Sequence, residues 1–89
     1  MNQAKRKEIR GLIAKLNETI AIIESLKGFT DYLYTDEQHK LENMSEKFED
    51  TIRYQSMENS VDALENAVIS AGDALTSLEC FKDDLEDAL

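Results

Sequence analysis

Proline and tryptophan are absent from this sequence, and glycine occurs only three times among its 89 residues. Alternating strand patterns and the turn clusters that separate strands are also missing. The single cysteine, Cys80, excludes an internal disulfide framework and is typical of a reducing compartment. No apolar run approaches the length needed to cross a membrane. These absences favour one soluble, all-α domain over residues 1–89.

Basic residues are few, and half of them are gathered at one end of the chain. Nineteen Asp and Glu residues outnumber ten Lys and Arg residues, which gives a formal net charge of −9. Five of the ten basic residues lie within residues 1–15, where Glu8 is the only acid. The acidic remainder would be repelled by nucleic-acid phosphates and by anionic membranes. We therefore expect no direct binding to nucleic acid or membrane, and a preference for positively charged partners.

Apolar residues in the second half of the chain follow an unbroken heptad rhythm. They recur at alternating spacings of four and three residues from Met57 to Leu89, and Lys82 is the one polar interruption. This rhythm predicts a long amphipathic helix over about residues 52–87. Such a helix must bury its apolar stripe against other helices.

The first half has the same spacing from Ile9 to Met44, although the stripe weakens after Ile23. This predicts helix one over about residues 3–43. Gly28 lies at the weakening, and a glycine inside a helix costs about 1 kcal/mol relative to alanine.

Helix one has two possible forms in this region. It either continues through the weak segment or breaks near residues 28–35 and restarts. Thr35 with Gln38 has the form of a capping box, which would serve such a restart. We favour the continuous helix.

A link over about residues 44–51 separates the predicted helices, and Asp50 or Thr51 can cap the second one. Two helices of similar length joined by a short link favour an antiparallel hairpin. In that arrangement the basic start of helix one lies beside the acidic end of helix two. Attraction between these ends would offset the unfavourable interaction of each with its own helix dipole.

The apolar stripe is too wide for one partner helix to cover. In each heptad, the position before the first core residue also carries apolar or small side chains, where two-stranded coiled coils usually carry long charged ones. The wider face suits a bundle, so we predict that two hairpins form a four-helix bundle as a homodimer. The alternative is a hairpin whose open face binds another protein. The predicted oligomer seam contains Leu12, Leu26, Leu33, Ala67, Ala74 and Phe81.

No constellation of residues points to catalysis or to a metal centre. His39 is the only histidine, whereas di-iron sites in helical bundles need paired Glu-x-x-His motifs. Cys80 has no histidine near it in the sequence to activate it as a nucleophile. The three isolated glycines do not form a phosphate-binding loop. We therefore expect a protein that is not an enzyme and that uses no cofactor or metal ion.

Aromatic residues gather toward the predicted link and are interspersed with carboxylates. Core packing beneath the link is the simpler interpretation. In the other interpretation they form an exposed aromatic patch within an acidic rim, which suits a basic partner. The residues of this candidate partner-binding patch are Phe29, Asp31, Tyr32, Tyr34, Asp36, Glu37, Glu46, Phe48, Glu49 and Tyr54.

Four segments carry a resemblance to other proteins. They are KRKEI (5–9), NMSE (43–46), TIRYQSMEN (51–59) and VDALENA (61–67). Together they resemble a group of small, uncharacterised helical-hairpin proteins that are encoded by phages and mobile elements of Gram-positive bacteria. Ser45 stands where members of that group often carry proline, which implies a less rigid turn.

The resemblance implies a genomic setting rather than an activity. In a phage setting, small inhibitors of host proteins, including anti-defence proteins, become more plausible. Our leading hypothesis is a non-enzymatic acidic module that acts in the cytoplasm of a bacterial host and blocks a host protein. In one version of this hypothesis, its carboxylate rows imitate nucleic-acid phosphates and occupy a basic groove on a nucleic-acid-binding enzyme or a defence complex. The alternative hypothesis is a self-assembling coiled-coil scaffold.

Overall fold

The computed structural model describes residues 1–44 and 51–89. Helix α1 spans Gln3–Glu42 and helix α2 spans Ile52–Asp87, and the described residues contain no strand. The prediction of an all-α hairpin is confirmed. Helix α1 passes through Gly28 and Thr35 without a break, so Thr35 does not begin a helix.

Both helices begin at a side-chain cap. The side-chain oxygen of Asn2 accepts a hydrogen bond from the backbone N–H of Lys5 at 2.9 Å. The Thr51 hydroxyl oxygen accepts one from the backbone N–H of Tyr54 at 3.1 Å. Each cap satisfies one of the first-turn backbone donors that have no partner within the helix.

The two helices lie side by side as an antiparallel hairpin. A helix of 40 residues, such as α1, is about 60 Å long. The molecule measures 69 × 15 × 14 Å, so α2 runs back along α1 rather than continuing beyond it. Neither helix carries, within the described residues, a stretch long and apolar enough to span a bilayer.

The contact between the helices, which we call the seam, uses the predicted heptad positions. Half-buried residues follow the spacing of four and three from Ile9 to Met44 on α1 and from Met57 to Leu85 on α2. Leu16 and Val61 are the most buried of the described residues, with 9% and 6% of their surface exposed. One pair of helices therefore covers only a narrow stripe, and much apolar surface remains on the sides of the hairpin.

Lys27 and Gly72 indicate the register of the seam near its middle. Lys27 occupies a half-buried core position on α1. A Cβ atom built on Gly72 would lie 3.7 Å from the Cε atom of Lys27, so the aliphatic stem of the lysine passes over the glycine. This contact places Lys27 and Gly72 at about the same height, to within about one helical turn.

The basic and acidic helix ends lie at the same end of the hairpin, as the antiparallel arrangement requires. Ion pairs in the described part of the chain, however, involve only Lys40, which contacts Asp36 and Glu37 at 3.2 Å each. The described residues therefore show no direct pairing between the two charged ends, and the attraction expected from the sequence would have to act over longer distances. Such attraction is weakened by salt.

Candidate interaction surfaces

The half of α1 nearer the link exposes two aromatic rings. Phe29 and Tyr32 are 69% and 68% exposed, and residues three apart are neighbours on a helix surface. With Ser25 and Gly28 they line a shallow, mostly apolar depression on the outside of the hairpin. Gly28 leaves this depression open, because a Cβ atom built there would have no atom within 4 Å.

Two carboxylates flank the depression and have no ion pair within the described residues. Glu24 and Asp31 are exposed on the side of α1 next to Gly28. Farther along the helix, Asp36 and Glu37 are held by Lys40. Hydrogen bonds to Asp36 first, and to Glu37 second, raise the pKa of Lys40 above its ordinary value. An external cation would therefore meet Glu24 and Asp31 more readily than the two carboxylates that already have a partner.

The predicted aromatic patch is divided between two surfaces. Tyr34 and Tyr54 are half-buried at seam positions and belong to the contact between the helices. Phe29, Asp31 and Tyr32 lie on the outside of α1. Tyr34 follows Phe29 by five residues, which is well over one helical turn, so the two rings point to different sides. The remaining aromatic and acidic predictions lie outside the described residues: Glu46, Phe48 and Glu49.

Sequence reasoning missed part of this site. Glu24, Ser25 and Gly28 were not assigned to it, although Ser25, Gly28, Phe29 and Tyr32 have spacings of three, one and three residues. Such spacings place all four on one face of a helix. The signal was therefore present, but the sequence alone left open whether α1 continues through Gly28.

A second exposed surface follows one side of the hairpin. Every residue of the predicted oligomer seam is exposed. These residues lie beside the contact between α1 and α2, not within it. In an antiparallel pair, an approximate two-fold axis perpendicular to the plane of the helices places the same heptad position on the same side of both helices. We call this surface the open flank. It comprises Leu12, Thr19, Leu26 and Leu33 on α1, and Ala67, Ala74, Phe81 and Ala88 on α2. Ile22 and Phe29 are one heptad apart and lie along its outer edge on α1, so the aromatic depression borders the open flank.

Large and small side chains are paired across the open flank. The register set by Lys27 and Gly72 places Leu26 level with Ala74. The other pairs in the same register are Leu33 with Ala67, Thr19 with Phe81, and Leu12 with Ala88. Three of the four large residues belong to α1, so α1 forms a ridge and α2 a trough along most of this surface.

Groups that could carry chemistry are scattered. Within residues 1–44 and 51–89, no three His, Cys, Asp or Glu side chains come together as a possible metal site. Cys80 is a free, exposed thiol, and His39 is exposed near the end of α1. Comparison of the chain with protein-family models, curated proteins and solved structures finds no match. The aromatic depression and the open flank are therefore the starting points for its function.

Proposed function

We propose that the protein is a non-enzymatic, acidic binding module from a phage or mobile element that blocks a host protein in the bacterial cytoplasm. The exposed pair of Phe29 and Tyr32 beside Gly28 is the observation that supports this most directly. Aromatic side chains are enriched at the centres of protein interfaces, where they fill pockets and exclude water. Two such rings side by side on a rigid helix supply an anchor of this kind.

The proposed partner presents positive charge to this anchor. The chain carries a net charge of −9, and Glu24 and Asp31 lie beside the depression without an ion pair among the described residues. The charged end of a Lys or Arg side chain of the partner can lie over the ring of Tyr32, and a second basic group can meet Glu24 or Asp31. The wider acidic surface would accelerate association with a basic groove. A nucleic-acid-binding enzyme or a defence complex has a groove of this chemistry.

Co-purification from a host lysate tests this proposal. The tagged protein is compared with the double variant Phe29→Ala/Tyr32→Ala and with Ile69→Ala, which removes an exposed apolar residue from the other side of the hairpin. We expect the wild type and Ile69→Ala to retain one partner at low salt and the double variant to lose it. Retention should weaken as salt shortens the screening distance to about 3 Å at 1 M. Absence of any retained partner at low ionic strength would count against the proposal.

A self-assembling scaffold is the second candidate, and the open flank favours it. Leu26, Leu33 and Phe81 are each about half exposed there, and monomeric proteins rarely leave such rows uncovered. In both candidates we propose that two hairpins associate as a four-helix bundle. Sedimentation equilibrium over a wide concentration range tests this, and a monomer throughout would contradict the homodimer and the scaffold.

A further inference from the structure

We propose that the open flank binds the open flank of a second copy in parallel, with both link ends together. Helix α1 of each copy then lies on α2 of the other. This inference rests on the proposed homodimer and specifies its surface and its orientation. The occupant of the flank is thus a second copy of this chain.

Side-chain size is the first reason for this orientation. Two-fold symmetry allows two ways to stack two open flanks. With the axis along the rod, α1 covers the partner's α2, and Leu26 of one copy meets Ala74 of the other at the same height. With the axis across the rod, α1 covers α1 and α2 covers α2. Leu12 then meets Leu33 and Ala67 meets Ala88, so at these levels large faces large and small faces small. Only the parallel arrangement places a large side chain opposite a smaller one at all four levels, which favours close packing.

Charge complementarity is the second reason. Lys15 and Asp84 are each twelve residues from the contact between Lys27 and Gly72, so they lie at about the same height. Both are exposed on the outer edges of the open flank, one on each helix. The full width of the flank separates them within one chain, and they form no ion pair there. Stacking α1 on the partner's α2 brings each Lys15 beside the other copy's Asp84.

The available area is sufficient for a stable dimer. The exposed fractions of the four large residues are between 49% for Leu12 and 55% for Leu26. Complete covering of these residues and of the neighbouring alanines would remove at most on the order of 600 Å² of surface per copy. Standard interfaces bury about 800 Å² per partner, of which somewhat more than half is apolar.

Orientation is tested by measuring a distance between spin labels in the full chain. Cys80 is replaced by Ser, and Glu42→Cys provides one label at the end of α1, away from the open flank. The parallel dimer predicts a distance between labels of within about 30 Å, because helices in a bundle pack 8–10 Å apart. The reversed dimer predicts about 50 Å or more, from the rise per residue of each α1.

Each outcome has a definite meaning. A short distance in a sample that sediments as a dimer supports the inference. A long distance in a dimer overturns the orientation but leaves the homodimer standing. A monomer overturns both, while the binding-module proposal remains testable by co-purification.

The surface itself is tested with a matched pair of variants. Leu26 and Ile69 are 55% and 54% exposed, but only Leu26 lies on the open flank. We expect Leu26→Glu to raise the dimer Kd at least about tenfold, since it replaces a buried apolar side chain twice per dimer. Ile69→Glu should leave the Kd unchanged. Equal effects of the two substitutions would overturn the assignment of this surface.

Exchanging the large and the small residue of one pair gives a test whose expected result cannot come from a general loss of stability. Ala74→Leu alone should weaken the dimer, because it fills the trough that receives Leu26. The double variant Leu26→Ala/Ala74→Leu reverses the pair, as Thr19 and Phe81 already do, and should restore the Kd to near the wild-type value. If the double variant dimerises no better than Ala74→Leu, the packing of ridge into trough is wrong.

Discussion

Replacement of Gly28 with alanine is expected to separate folding from partner binding. Glycine inside a helix is about 1 kcal/mol less favourable than alanine, because its backbone loses more conformational freedom on folding. A Cβ atom at Gly28 would have no atom within 4 Å, so no clash offsets this gain. We expect Gly28→Ala to raise the free energy of unfolding by about 1 kcal/mol and Tm by about 4–8 °C. Thermal and urea denaturation followed by circular dichroism, at one fixed protein concentration, measure both quantities.

The added methyl group also enters the depression between Ser25, Phe29 and Tyr32. We therefore expect Gly28→Ala to capture less partner from a lysate although its fold is more stable. Gly11→Ala is the matched control, because Gly11 lies in the same helix, also has open space around it and is far from the depression. It should stabilise the fold equally and leave capture unchanged. Destabilisation by Gly28→Ala, or an equal loss of capture in both variants, would refute the reasoning.

Three further predictions concern the seam, a helix cap and a charge. Leu16→Ala should lower the free energy of unfolding by about 2–5 kcal/mol, because Leu16 is among the most buried residues described. A loss close to zero in urea denaturation would show that the seam does not hold the hairpin together. Thr51→Ala should cost about 1 kcal/mol and accelerate hydrogen exchange in the first turn of α2, and unchanged exchange would contradict the cap. Asp36 and Glu37 raise the pKa of Lys40. The contribution of charged Lys40 to the free energy of unfolding is therefore present below the ordinary pKa of lysine and is lost as the pH rises through the raised pKa. Lys40→Gln should therefore be less stable than the wild type at neutral pH and equally stable above the raised pKa, as measured by urea denaturation at each pH. A difference in stability that persists above the raised pKa would show that the charge of Lys40 is not its cause.

The seam was predictable because helix geometry alone decides which residues share a face. The spacing of four and three identified Lys27 and Lys82 as core positions despite their charge, and both are half-buried. The depth of burial was not predictable, because it depends on which side chains of the other helix lie opposite. Leu16 and Ile20 have the same kind of position in the pattern, yet only Leu16 is buried.

The candidate site was less predictable, because closeness in the sequence is not closeness around a helix. Phe29, Tyr32 and Tyr34 form one cluster in the sequence, but Tyr34 turns into the seam. Gly28 had the form of a possible break, whereas it lies inside an unbroken α1. One glycine costs about 1 kcal/mol, while ending the helix there would leave several backbone groups without partners. The same residue is therefore tolerated in the helix and leaves space beside the aromatic rings.

Among the described residues, the two most deeply buried lie in opposite halves of a rod that is 69 Å long and 15 Å wide. Leu16 is nearer the chain termini, Val61 is nearer the link, and the lysine-over-glycine layer lies between them. In so thin a body each layer touches only its immediate neighbours, so opening can propagate from one tip and stop before it reaches the other. Each half of the hairpin should therefore open largely independently of the other, and the Lys27–Gly72 layer between the halves should be the weakest part of the seam. Damage near the termini would leave amide protection near the link almost unchanged.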